Sequence, residues 1–116
     1  MSQRTEKVQK LAREVLGESI QALKDPRIGF VTVTGVRISA DLRHARVFVS
    51  VLGSDDEQRA TMAGLESAKS HLRSDLGRQM RMKYLPELVF ELDHSPEEAQ
   101  RMEELFRRIH EEPDTQ

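Results

Sequence analysis

Residues 30–52, FVTVTGVRISADLRHARVFVSVL, alternate apolar and polar positions on either side of a short break. A period of two is the mark of strands with one buried face, so this stretch dictates a β-hairpin and rules out an all-helical domain. Val31 and Val33 share one face, but past Gly35 the apolar positions are Val36 and Ile38. A phase slip at a glycine predicts a β-bulge, which restores the apolar side chains to the same face. The residues ADLR form the turn, and 44–52 resume the alternation with Ala45, Val47, Val49 and Val51.

The flanking segments change period. Residues 4–24 carry Val8, Leu11, Ala12, Val15, Ser19, Ala22 and Leu23 at helical spacing, stopped at Asp25-Pro26 and Gly29. Ser54 with Glu57 three residues later is a capping box. It opens a long helix whose stripe is Met62, Leu65, Ala68, Leu72, Leu76 and Met80. PELVFEL (86–92) reads as a third strand, with Leu88, Phe90 and Leu92 on one face. Ser95 and Pro96 cap a last helix over about 96–111, expected to bury Ala99, Met102, Phe106 and Ile109; residues 111–116 are expected to form a flexible acidic tail. At 116 residues the chain has the size of one domain, with an ordered core over about 4–110. The reading is an α+β two-layer domain: three strands in a mixed sheet, helices on one face, and a third strand parallel to the second because a helix carries the chain back.

Few kinds of chemistry fit this composition. With no cysteine there is no disulfide, thiolate nucleophile or Cys-based zinc site. His44, His71, His94 and His110 lack metal-ligand spacing, and the glycines form neither a dinucleotide nor a phosphate loop. The Asp93-His94-Ser95 run is sequential, whereas a triad is assembled across a fold. The expectation is a chain with no catalytic site, metal or cofactor. No apolar run reaches membrane-spanning length and the first residues carry no apolar signal core, so the expected compartment is the cytoplasm, without membrane contact.

Charge is where the sequence is most pointed. The net charge is −2, yet residues 69–83 hold Lys69, Arg73, Arg78, Arg81 and Lys83 against Asp75 alone, a local +4. Residues 97–116 hold seven acids and three arginines, a local −4. Segregated charge predicts an oriented encounter with a polyanion, and Lys24, Arg27, Arg43 and Arg46 of the hairpin region are candidates for the same surface. A solvated helix end, complementing the helix dipole, is the ordinary alternative. With four Phe, one Tyr and no Trp, a platform of stacked bases is not expected.

The element order, KDPRIG (24–29), VTVTGVRISADLRHARVFVSVLG (31–53) and above all LRSDLGRQMRMKYLPELVFELDHS (72–95) resemble the ribosome-binding factor A family over about residues 4–110. That resemblance implies a type II KH-like fold in the order α-β-β-α(bend)α-β-α, and a non-catalytic, monomeric factor. The implied partners are the free 30S small ribosomal subunit and its 16S rRNA, whose late maturation and processing it supports, chiefly in the cold. The family bends its long helix at Ala-x-Gly instead of using a Gly-x-x-Gly loop. The matching positions are Ala68, Lys69 and Ser70, with serine where the family usually has glycine. Together with the charge pattern, the expected RNA-binding set is Lys69, Ser70, Arg73, Arg78, Arg81 and Lys83, with Arg43 and Arg46 from the hairpin. A protein-interaction module docking through the sheet edge or last helix is the competing expectation.

Overall fold

In the computed structural model, which describes residues 3–111, the chain runs α1 (Gln3–Gln21), β1 (Phe30–Ile38), β2 (His44–Leu52), α2 (Asp55–Ser67), α3 (Lys69–Met80), β3 (Glu87–Leu92) and α4 (Ser95–Glu111). The strands form one sheet in the order β1-β2-β3. β1 pairs with β2 antiparallel, and the register shifts between Val33 and Gly35, where the sequence places the bulge. β2 pairs with β3 in parallel, Val47 opposite Phe90.

The bulge lets one face of β1 stay apolar along its length. Val31 and Val36 on either side of it are both buried, over Ala45, Val47, Val49 and Val51 of β2 and Leu88 and Phe90 of β3. α1, α2 and α3 cover this face with Leu16, Ile20, Leu65, Leu72 and Leu76. Leu16, Leu65, Leu72 and Leu76 are fully buried, each contributing about 1.5–3 kcal/mol of transfer free energy. The capping box is complete: Ser54 Oγ accepts from the Glu57 amide at 3.2 Å, and Glu57 Oε1 accepts from the Ser54 amide at 3.1 Å.

α1 turns the expected face inward: Ala12, Val15 and Ser19 are buried, and Val8 and Leu23 are half-buried. Leu11 is half exposed and Ala22 is exposed, and the helix ends at Gln21. The buried stripe is wider than expected, because Leu16 and Ile20, next to Val15 and Ser19, also enter the core. α4 is a larger departure. Ala99, Met102, Phe106 and Ile109, expected in the core, are all exposed. Three helices already occupy the apolar side of the sheet, so α4 has no core to complete and lengthens the molecule to 66 × 38 × 18 Å.

α4 also begins at Ser95, which is its first helical residue rather than its cap, and Asp93 organises the entry. One carboxylate oxygen accepts from Thr34 Oγ1 at 2.7 Å beside the bulge, and the other accepts from the Ser95 amide at 2.9 Å. The hydroxyls of Thr34 and Ser95 hold this carboxyl below the usual carboxylate range. The acidic tail, 112–116, lies outside the described residues.

The long helix is interrupted at one residue. Ala68 has φ −89° and ψ 1°, ending α2 and starting α3. Its amide is shared between the carbonyls of Gly64 (3.1 Å) and Leu65 (3.2 Å), a tightening typical of a helix end. The break therefore falls at the first position of the Ala68-Lys69-Ser70 triplet, and Ser70 needs no positive φ. The stripe stays in phase across it, so the sheet is covered on both sides of the break.

Candidate nucleic-acid interface

The end of α3 and the turn into β3 are built to be stiff. α3 stops at Arg81, in the left-handed conformation (φ 52°, ψ 43°), with its amide on the Gly77 carbonyl. The Met82 amide donates to the same carbonyl at 3.0 Å. Leu85 folds back onto Gly77 so closely that a Cβ there would lie 2.0 Å from Leu85 Cδ2. Arg73 reaches across, donating from Nε to the Pro86 carbonyl at 2.9 Å and from Nη2 to the Leu85 carbonyl at 3.2 Å.

The β1–β2 turn meets this one. The Glu87 amide donates to the Arg43 carbonyl at 2.7 Å, joining the two turns through their backbones. Within the hairpin turn Asp41 accepts from Ser39 Oγ at 2.6 Å and from the Arg43 amide at 3.1 Å, and the hydroxyl of Ser39 keeps Asp41 below its ordinary pKa. Leu42 is held at φ 62° and is half exposed. Leu42 and Arg81 are the non-glycine residues with positive φ among the described residues, and both line a cavity of about 450 Å³ with Met80 and Met82. Two backbone strains side by side, of order 1 kcal/mol each, mark a site where the surroundings enforce a shape.

The cations anticipated from the sequence separate into three groups. Arg43, Arg81 and Lys83 converge on this end of the molecule, Arg43 and Lys83 lining one cleft and Arg81 the cavity beside it. Among the described residues none of the three forms a salt bridge, and all are exposed.

Lys69, Arg73 and Arg78 lie along α3 but are engaged. Lys69 pairs with Glu66 at 2.9 Å and stands 5.9 Å from the centre of the Phe90 ring. Arg73 is committed to the two carbonyls of the turn. Arg78 pairs at 2.5 Å with Asp75, whose side chain is mostly buried and also faces His71 Nε2 at 3.4 Å. Ser70 is exposed near the start of α3.

The third group lies elsewhere. Arg46 projects from the uncovered side of the sheet, paired with Glu91 at 2.7 Å and 5.1 Å from the Phe48 ring. Arg27 is bound to Asp25 at 2.7 Å, and its carbonyl accepts from Thr61 Oγ1. It and Lys24 lie at the other end of β1 from Arg43, about 30 Å of strand away.

Sequence reasoning passed over Tyr84 and Leu42. The only tyrosine in the chain is 73% exposed, with Lys83 Nζ 5.5 Å from its ring centre, in the cleft shared with Arg43. Counting aromatics hid it, although a lone Tyr between Lys83 and Leu85 in a basic turn was a readable signal. No cluster of three or more His, Asp or Glu side chains that could hold a metal occurs among the described residues.

A mixed three-stranded sheet backed on one face by three helices, the second pair split by a single-residue break, defines a type II KH-like domain. Comparison with known proteins gives the particular family. The profile of Ribosome-binding factor A matches residues 4–106, and the chain belongs to that family. The ribosome-binding factor A of Geotalea daltonii is 43% identical over 110 residues, spanning 94% of this chain and 89% of that protein. The crystal structure of ribosome-binding factor A from Thermus thermophilus is 32% identical, with a TM-score of 0.69 over 76% of this chain and 94% of that one. A homology model of the Thermus protein, fitted into a cryo-electron microscopy map of its complex with the 30S subunit, has 32% identity and a TM-score of 0.64, covering 74% of this chain and 91% of that one.

Proposed function

We propose that this protein is a non-catalytic assembly factor that docks on the free 30S subunit in the cytoplasm and supports late maturation and processing of 16S rRNA. The observation that carries the reading is the convergence of Arg43, Arg81 and Lys83, none of them in a salt bridge among the described residues, on two turns locked to each other. Free cations on a stiff surface bind phosphates without first breaking ion pairs or ordering a loop, and each contact releases counterions. The fit of the Thermus relative into a 30S complex supports the partner.

The reading assigns distinct tasks to the remaining cations. Arg73 holds the turn. Lys69 and Ser70 at the start of α3, and Arg78 further along, extend the contact, because surface ion pairs such as that of half-buried Lys69 with exposed Glu66 are worth about 0–1 kcal/mol and exchange cheaply for phosphate. Arg46 faces away on the other side of the sheet and takes no part. Co-sedimentation with free 30S subunits, mature subunits and whole ribosomes at two salt concentrations tests the proposal. Salt-sensitive binding to the free subunit is expected, and equal binding to all three would overturn it.

A second reading draws on α4, whose exposed Met102, Leu105, Phe106 and Ile109 form one apolar stripe. A partner protein covering it would bind in a salt-resistant manner that M102A/F106A abolishes.

A further inference from the structure

We propose that Tyr84 is a stacking platform for one unpaired nucleobase of RNA, with Arg43 and Lys83 holding the phosphates on either side of it. The inference rests on the reading that the basic end faces rRNA and adds the form of RNA that it takes. An exposed aromatic ring on a soluble domain is unremarkable when isolated, but Tyr84 is not isolated. It lies in a cleft of about 610 Å³ whose other walls are Leu42, Met82 and Leu85, with Arg43 and Lys83 at its edge. That size falls within the range of small-ligand clefts, about 300–1,000 Å³.

The lining has the chemistry of a nucleotide: an apolar floor and an aromatic face for a base, and cations for its phosphates. A regular duplex keeps its ring faces stacked inside the helix and cannot use the tyrosine, so the cleft selects a looped-out or single-stranded residue. Asp41 also lines the cleft; its Oδ1 accepts from Ser39 Oγ and the Arg43 amide, and Arg43 and Lys83 together outweigh its single charge.

The platform is pre-set. The residues around Tyr84 are fixed from below by the two Arg73 bonds, by Leu85 against Gly77 and by the Glu87 amide on the Arg43 carbonyl. Only the tip is free. A base that stacks there meets a ring whose backbone is already ordered, which keeps the entropic cost of binding low. Lys83 Nζ lies over one face of the ring, 5.5 Å from its centre, and swings from there to a phosphate when a base takes that face.

Because the chain has one tyrosine and no tryptophan, tyrosine emission reports this position alone. The experiment titrates the full chain with a short single-stranded oligouridine at low salt, following both tyrosine emission and the anisotropy of a label on the RNA. Quenching that saturates together with the anisotropy is expected, with no quenching by a duplex of equal length or by an oligonucleotide carrying abasic sites. Y84F is expected to bind within about twofold of wild type, and Y84L to lose about tenfold or more. Unchanged emission on RNA that is demonstrably bound, equal binding by Y84L, or no binding of the oligonucleotide at all overturns the proposal.

Subunit binding separates the two layers. If Y84L binds 30S subunits and oligouridine like wild type while R81E/K83E loses 30S binding, stacking is wrong and the electrostatic reading stands. If R81E/K83E also binds 30S subunits like wild type, both fall.

Discussion

Reversing Arg81 and Lys83 to glutamate together is expected to weaken 30S binding by about tenfold or more while leaving the fold intact. Neither side chain carries a salt bridge among the described residues, and both are exposed, so the variant breaks no ion pair and loses only the surface contact of Lys83 with the Tyr84 ring. If Arg43, Arg81 and Lys83 each neutralise one phosphate at about 0.7 in the logarithmic salt slope, together they contribute about 2. A fourfold rise in salt then weakens wild-type binding about 20-fold through these three contacts, and about 3-fold through the single one left in the variant. Co-sedimentation at about 50 and 200 mM salt reads both the affinity and the slope. The control is R46Q, which removes an exposed cation on the uncovered face of the sheet without setting a second acid against Glu91. Wild-type affinity and slope in R81E/K83E, or an equal loss in R46Q, would refute the reasoning. R78E is a poorer probe, because it places a second acid against the mostly buried Asp75.

Three further outcomes follow from the same geometry. R81G relieves a left-handed residue, so it is expected to unfold at the same or higher denaturant concentration, by up to about 1 kcal/mol, yet to bind 30S less tightly. G77A pushes a methyl group into Leu85 Cδ2 and is expected to cost about 1–3 kcal/mol in a urea melt and to shift the emission of Tyr84. Hydrogen bonds hold Asp41, Glu57 and Asp93 below their ordinary pKa in the folded chain. Their contribution is complete above the unfolded carboxylate range of about 4 and is lost as pH falls through the lowered values, so stability measured by urea melts declines below about pH 4, and less steeply in D93N.

Much of the architecture was legible because strand patterns leave little freedom. One residue of slip at Gly35 would expose a whole face, so the bulge had to be there. The parallel third strand followed from the helical crossover. In α1 Ala12, Val15 and Ser19 were legible from helical spacing, whereas Leu16 and Ile20 lie at the edge of that stripe and only packing against the sheet brings them into the core. The exposure of α4 was illegible from its own pattern: an amphipathic helix looks the same whether or not the sheet has room for it.

The cations show where local pattern ends. Glu66 before Lys69 and Asp75 before Arg78 are spaced i, i+3, so those two ion pairs could have been read in advance. The Arg46–Glu91 pair spans 45 positions and depends on strand register, and the bonds of Arg73 are to backbone that folds into place only in the turn. What distinguishes Arg43, Arg81 and Lys83 is therefore a property of the assembled molecule.

The absence of cysteine gives the most direct test of which end meets the subunit. A single cysteine at Ala40, in the hairpin turn of the basic end, or at Thr32, about 25 Å away along β1, can carry a tethered iron chelate that cleaves nearby RNA. In the complex with free 30S subunits, A40C is expected to cut 16S rRNA strongly and T32C weakly. Strong cleavage from T32C with none from A40C would contradict the account.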